Sequence, residues 1–480
     1  MRTAGRAVVI GSGPNGLAGA LTLARAGLRV EVYEEQATLG GGARTAELTL
    51  PGFRHDTCSA IHPLGRASPA FRALELDVDW VEPPAAVAHP FDDGTAVVLE
   101  RSVEATASQL GSDGHAYARL VGPLAEAWAG IAPVLLGPYP PPPRALAALA
   151  RSLGAGVLGR SARLALSDAR SVAESLFAGE RARGFFAGHA AHSLLPLERR
   201  PSAGFGLSLA VLGHALGWGF PRGGSAGIVE ALVEELSRRG CVFHTSARVD
   251  ALPAADIVLA DVMPRELVRL GGGRLPARYV AALSRYRHGP GAFKLDWALD
   301  GAIPWRAEGC RRAATVHLGG TLDEISRSER AAWSNDPGGR PFVLLAQHSL
   351  FDSTRAPAGK HTAWAYCHVP SGSRTDMTAA IEDQVERFAP GFRELILARS
   401  ALAPAELEAR NRNLVGGDLN GGVMDLGQLV FRPVRRANPY RTPLAGVYLC
   451  SSATPPGGGV HGMCGLAAAQ LALRELGRLS

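Results

Sequence analysis

Lysine is almost missing from this chain: Lys294 and Lys360 are the only two in 480 residues, so its 50 basic side chains are nearly all arginine. Those arginines are scattered, with no dense basic block and no basic stripe interleaved with aromatics, which argues against a nucleic-acid partner despite a net charge of +6. Paired cysteines are missing too. Cys58, Cys241, Cys310, Cys367, Cys450 and Cys464 form no Cys-x-x-Cys pair and no Cys/His cluster at zinc spacing, so neither a dithiol redox centre nor a structural metal is indicated. No apolar run approaches the ~20 residues of a membrane-spanning helix. The first strand-like run, Ala7-Val8-Val9-Ile10, begins almost at Met1 and leaves no room for a secretory leader, so the expected location is cytoplasmic.

What is present is globular composition, 46% hydrophobic and 20% charged, in a chain long enough for two cores. The first 60 residues read strand, helix, strand and then a glycine cluster. From Ser102 to Leu216 the pattern turns helical and Ala/Leu-rich, broken by the extended Pro140 to Pro143 run. After Pro221-Arg222-Gly223-Gly224 an amphipathic helix is predicted, with Ile228, Leu232, Val233 and Leu236 on one face and Gly240 closing it. Short strands are predicted at Val242 to Thr245 and Asp256 to Ala260. Alternation over Phe293 to Leu299, Phe342 to Gln347 and Thr362 to Val369 predicts an antiparallel sheet. The chain closes with a strand, Gly446 to Cys450, a Gly/Pro-rich turn and a helix from Gly462 to Leu476.

The segment Val8-Val9-Ile10-Gly11-Ser12-Gly13-Pro14-Asn15-Gly16 places G-x-G-x-x-G between a strand and a helix, the context in which it binds a dinucleotide. Gly11 permits the tight turn, Gly13 lets backbone approach a pyrophosphate, and Gly16 allows close helix packing, while the helix N-terminus offers free N–H groups. The second strand, Arg29 to Tyr33, ends at Glu34, 18 residues past Gly16, where a carboxylate accepts hydrogen bonds from an adenosine ribose diol. That acid disfavours NADP without separating NAD from FAD. Glu35 and the cluster Gly40-Gly41-Gly42-Ala43-Arg44 follow at once, and a second set of amides with a guanidinium suits a longer, extended cofactor.

Glu34 to Thr45 resembles the GG motif of the flavin superfamily that holds amine oxidases, phytoene desaturases and carotenoid isomerases. Phe53-Arg54-His55-Asp56-Thr57, Pro221-Arg222-Gly223-Gly224-Ser225, Gly291-Ala292-Phe293-Lys294, Arg355 to His361, Ala389-Pro390-Gly391-Phe392 and Thr454 to Gly465 extend the likeness. Together they resemble the phytoene-desaturase-like branch that includes pyridine nucleotide-disulphide oxidoreductase domain-containing proteins, essentially end to end. The disulphide chemistry in that name does not carry over, for want of paired cysteines.

The resemblance implies an α/β fold: a Rossmann-like FAD-binding domain of the glutathione-reductase/amine-oxidase type, made of residues 1–100, 217–265 and 425–480. A discontinuous α+β substrate domain takes 101–216 and 266–424. It also implies that Ser452, Gly459, Val460 and His461 close over the flavin, and that Val249, on a strand, reads adenine through its backbone. Amides at the start of the C-terminal helix would stabilise negative charge gathering on the flavin. His461 is a candidate to tune or protonate it. Lys294 is a candidate for holding a water beside the flavin, as a lysine does in amine oxidases; the alternative is a structural pair with Asp296. Two departures stand out, a missing hairpin around Leu252-Pro253 and serines in Leu449-Cys450-Ser451-Ser452 where small glycine-type residues are common.

A flavin without a second nucleotide unit takes electrons from an organic substrate and passes them to another acceptor. The leading expectation is dehydrogenation or desaturation of an apolar small molecule, the helical insertion (Leu176, Phe177, Phe185, Phe186, Leu194, Leu195) shaping the pocket. Amine oxidation, with a cage drawn from Trp218, Trp297, Trp364 and Tyr366, is one alternative; redox-neutral isomerisation and a non-catalytic FAD-binding scaffold are the others. Leu135 to Leu166, with Arg144, Arg151, Arg160 and Arg163, suits peripheral contact with a membrane. Substrate, electron acceptor and oligomeric state are not written in the sequence.

Overall fold

The computed structural model describes residues 5–334 and 337–478. One sheet is parallel throughout, in the order Val447–Leu449, Ile257–Ala260, Arg6–Ile10, Arg29–Tyr33, Val242–His244. Its central strand is apolar without alternation because both faces are covered. The Pro14–Arg25 helix leaves that strand through Gly13, with Pro14 at its first position, where a missing N–H is harmless. Against it packs the Met463–Glu475 helix, so closely that a Cβ on Gly465 would lie 1.7 Å from the Asn15 carbonyl oxygen. Both ends of the polypeptide therefore meet behind one glycine loop. The Ala226–Ser237 helix buries Ile228, Val229, Leu232 and Leu236; Val229 rather than Val233 completes its inner face, Val233 being only partly covered.

The other large sheet has seven strands, in the order Ile396–Leu402, Gly291–Leu299, His361–Val369, Val343–Ala346, Ala313–Leu318, Ala85–Pro90, Ala96–Val98. It is mixed rather than purely antiparallel, since Ala313–Leu318 runs parallel to Ala85–Pro90. Ala85–Pro90 and Ala96–Val98 thus join this sheet although they lie within the 1–100 span assigned to nucleotide binding. Ala85–Pro90 is buried along its whole length, and such a run carries no local signal of which sheet it enters.

Register fixes two opposite faces. Val316, Leu345, Ala365 and Leu295 fall in one row and belong to an apolar core under the Thr378–Phe388 helix. Thr315, Ala346, Trp364 and Asp296 form the neighbouring row, and His317, Leu344, Tyr366 and Lys294 the next. Successive residues of a strand alternate faces, so these two rows share the opposite face, with nearly all the polar chemistry of the sheet.

The helices Gly114–Glu126, Trp128–Leu135, Pro143–Ala165 and Ser202–Leu216 share a cavity wall with Thr315, Leu344, Trp364 and Tyr366 of that face. The proline run is extended up to Pro142, and Pro143 opens a helix that bends at Gly154, φ 71°. Leu149 is the one buried residue of that helix. No helix among the described residues is long and apolar enough to cross a membrane.

Candidate functional site

A cavity of about 1220 Å³ runs from the glycine loop to the helical layer. Gly11, Gly13, Pro14, Asn15, Glu34, Glu35, Gly41, Gly42, Ala43, Arg44, Val249, Ser452, Gly459, Val460 and His461 all line it. The loop at the start of the first helix and the loop at the start of the last therefore face the same space. Gly16 stands behind the wall, where its N–H donates to Asp261 Oδ2 at 3.0 Å and a Cβ would strike the Gly11 carbonyl at 2.3 Å. That is the packing role its spacing implied.

Glu34 is buried at the end of its strand. Its Oε2 accepts from Ser12 N at 3.0 Å and Ser12 Oγ at 2.6 Å, and its Oε1 from Gln36 N at 2.9 Å. A carboxylate oxygen has two acceptor directions, so Oε1, with one of them taken, remains able to receive a ribose hydroxyl. Arg44 donates to the carbonyls of Gly41 at 2.9 Å and Arg410 at 3.1 Å, and burial lowers its pKa while the charge of Glu34 opposes the shift. Among the described residues neither Arg44, Arg248 nor Arg410 sits in an ion pair, though all three line the cavity. Unpaired guanidiniums in the same cavity as the start of the Pro14–Arg25 helix suit a pyrophosphate. Val249 lies in an irregular segment, not on the expected strand, and its carbonyl accepts from Arg269 Nη2 at 2.8 Å.

Several wall residues were not anticipated. Asp261 follows the Ile257–Ala260 strand and touches all three glycines: a Cβ on Gly13 would meet its Oδ2 at 2.8 Å. Burial, helped by Glu34 and opposed by the Gly16 N–H, pushes its pKa up to about 7, so near neutrality it presents a half-protonated acid, not a full charge, to the loop. Its place just past the carboxyl end of a central parallel strand is where ligands gather in such folds, and that was the available signal. Asn411, Arg412 and Asn413 arrive from the far sheet, with Arg412 bound to Glu35 at 2.8 Å and Asn413 bracing the Asp261 carbonyl at 2.9 Å.

At the opposite wall His461 is fully buried and its Nδ1 accepts from Met463 N at 3.1 Å. That bond places the proton of a neutral ring on Nε2. Burial holds its pKa down to about 4 against the pull of the Gly457 and Gly458 carbonyls, and no group completes hydrogen-bond geometry with Nε2. Burial thus favours the neutral ring of His461, with its N–H on Nε2.

Lys294 shares a sheet face with Trp364 and Tyr366 but does not line the cavity. It is buried, bonded to Asp296, with Nζ 5.7 Å from the Trp364 ring centroid. On the neighbouring strand Trp364 and Tyr366 line the cavity as a stacked pair, centroids 5.4 Å apart at 28°. Trp218 lines the cavity as well, whereas Trp297 points into the apolar core beneath the sheet. His192 lines the wall with its Nε2 3.0 Å from His317 Nε2, and burial drives both rings to the neutral form. Lys360 is a surface residue paired with Asp300.

Toward the helical layer the cavity wall becomes largely apolar. Leu124, Ile131, Leu149, Leu153, Phe205 and Leu207 are among its lining, and no Lys, Arg, Asp or Glu between Leu124 and Val211 contributes to it. Leu176, Phe177, Phe185, Phe186, Leu194 and Leu195 do not line it; Phe177, Phe185 and Phe186 belong to the core of the helical layer. Every cysteine is a free thiol with its pKa raised by burial. No metal-holding group of three or more His, Cys, Asp or Glu occurs among the described residues.

Residues 9–75 match the family described as NAD(P)-binding Rossmann-like domain. The pyridine nucleotide-disulfide oxidoreductase domain-containing protein 2 of Rattus norvegicus is 27% identical, over 98% of this chain and 93% of the rat protein. The phytoene dehydrogenase of Streptomyces griseus is 27% identical over 82% of this chain and 77% of its own length. Cyclohexylamine oxidase from Brevibacterium oxydans IH-35A has the same fold, with a TM-score of 0.59, 15% identity and coverage of 99% of this chain and 100% of that one. The resemblance read from the sequence stands: homology to pyridine nucleotide-disulfide oxidoreductase domain-containing proteins and to desaturases, on a Rossmann-containing α/β fold shared with amine oxidases.

Proposed function

We propose that this chain, a flavin-type oxidoreductase by kinship, binds FAD and uses it to dehydrogenate an uncharged, largely apolar small molecule. One observation carries the reading: Gly13 and Gly459, from opposite ends of the chain, line one cavity whose far arm is apolar. Glu34 would hold the adenosine ribose, the amides past Gly11 and the Arg44 guanidinium the pyrophosphate, and Gly459, Val460 and Ser452 the flavin end. When bound, FAD supplies a two-electron acceptor for a hydride. The protein's own part is to orient the substrate on the Trp364 and Tyr366 face, to exclude water with the leucines of the helical layer, and to offer the His461 N–H as a fixed dipole near the ring. Titrating purified protein with FAD tests the reading. Stoichiometric uptake with a shifted visible spectrum is expected, and a protein that ignores FAD but takes NAD would refute it.

Amine oxidation remains a second reading, favoured by the stacked Trp364/Tyr366 pair. Peroxide release from a panel of primary amines would select it; its absence alongside flavin bleaching by an apolar donor would select dehydrogenation.

An apolar substrate needs a route from a lipid phase, and we extend the proposal to transient contact with an anionic lipid surface. Leu135, Leu146 and Leu166 line the cavity yet stay exposed. Arg144, Arg151, Arg160 and Arg163 are exposed around them, and no acidic residue occurs between Ala127 and Ser167. Co-sedimentation with phosphatidylserine vesicles, lost on reversing the arginines to glutamate, is the expected result; equal recovery with neutral vesicles would remove the charge argument.

A further inference from the structure

Arg432 is fully buried without a counter-ion. Its Nη2 donates to the Tyr286 hydroxyl at 2.7 Å and the Gly421 carbonyl at 3.0 Å, its Nη1 to the Met424 sulfur at 2.9 Å, and its Nε has no partner. Among the described residues no carboxylate comes within 4.0 Å of it. Asp418, which faces Tyr286, has its oxygens taken by the N–H groups of Gly289, Asn420 and Gly422 at 2.9, 2.9 and 2.7 Å. A guanidinium keeps its proton under all ordinary conditions, and a buried charge without a partner is expensive. A fold that keeps one has an anion to answer it.

That anion has one open approach. Gly421, Met424 and Gly458 line the cavity, and a Cβ on Gly457 would sit 2.5 Å from Arg432 Nη1. The Gly457–Gly458 backbone and the Met424 thioether thus separate the charge from the wall assigned above to the flavin end. The pyrophosphate is assigned above to Arg44 and the first glycine loop, not to this wall.

We infer that Arg432 is a positioning residue for charge, acting through the Gly457–Gly458 backbone to favour the reduced, negatively charged state of the bound cofactor over its neutral oxidised state. The inference rests on the FAD reading. A substrate that gives a hydride to the ring and a proton to water leaves one extra negative charge on the ring, and that is the charge this wall would answer.

The test is the equilibrium midpoint potential of the FAD-loaded protein, titrated with dithionite against reference dyes. Arg432→Met is expected to weaken reduced-state binding relative to oxidised by on the order of tenfold, a fall of about 30 mV. Arg432→Lys, which keeps the charge, should restore most of it. A merely structural arginine would lower thermal stability and weaken FAD in both states together, leaving the potential where it was; that result overturns the inference. If Arg432→Met does not fold, Arg432→Gln against Arg432→Lys makes the same comparison. A protein that binds no FAD refutes the cofactor reading instead, so the two failures are distinguishable.

Discussion

The two ends of the cavity are built by different physics. At the nucleotide end the surface is backbone, formed by Gly11, Gly13, Gly41 and Gly459, and a side chain at Gly13 or Gly459 would strike Asp261 or Leu64 at 2.8 or 2.7 Å. At the far end the surface is side chain, leucines and aromatics from four helices and a sheet. A wall of backbone is specified by which residues are glycine and fails sharply. A wall of leucines is specified by volume and degrades gradually.

The sharpest break should come where the two chain ends meet. Gly465→Val would force a side chain onto the Asn15 carbonyl and part the Pro14–Arg25 and Met463–Glu475 helices. Loss of cooperative unfolding in thermal melts is expected, since backbone cannot yield as a flexible side chain can. Next comes Lys294→Met, which strands Asp296 in the core. We expect about 3–5 kcal/mol of lost stability by denaturant titration, with the flavin spectrum unchanged. Turnover lost at full stability would instead move Lys294 into the reaction.

A smaller effect is set by pH. Asp261 has a folded pKa raised to about 7 from 3.8, so between those values the native state holds a proton that the unfolded chain releases. Stability therefore falls as pH rises through that window, and FAD affinity should fall above it as a carboxylate forms beside the pyrophosphate loop. Asp261→Asn should flatten both profiles in melts and FAD titrations. The smallest effect belongs to the arm. Leu153→Ala should cost about 1 kcal/mol, roughly fivefold in Kd, for an apolar probe such as 1-decene, leaving FAD affinity untouched. Equal losses of both ligands would mean the two ends are one mechanical unit.

This contrast also explains what was legible in the sequence. Gly11 to Gly16, Glu34 and Gly41 to Arg44 could be read because each is a local pattern next to a strand or helix start, and Gly459 to His461 through the family resemblance; the parallel sheet brings such starts to one edge. Asn413 and Arg432 could not, since each acts on a segment more than 20 residues away with no local pattern, and Asp261 offered only its place after a strand. Ala85–Pro90 entered the second sheet, and in parallel, because strand pairing is decided by long-range contacts. The aromatic residues of the helical insertion were read as pocket yet pack into core, the ordinary fate of apolar residues in a helical layer. Leu149 and Leu153, plain leucines, line the pocket instead.

The central claim is that the first and last helix starts hold one cofactor. FAD titrations of the wild-type protein, Gly13→Val and Gly459→Val, each verified as folded by circular dichroism, test it most directly. The account predicts stoichiometric flavin in the wild type and at least a hundredfold weaker binding in each variant. Tight FAD binding that survives either substitution would contradict it.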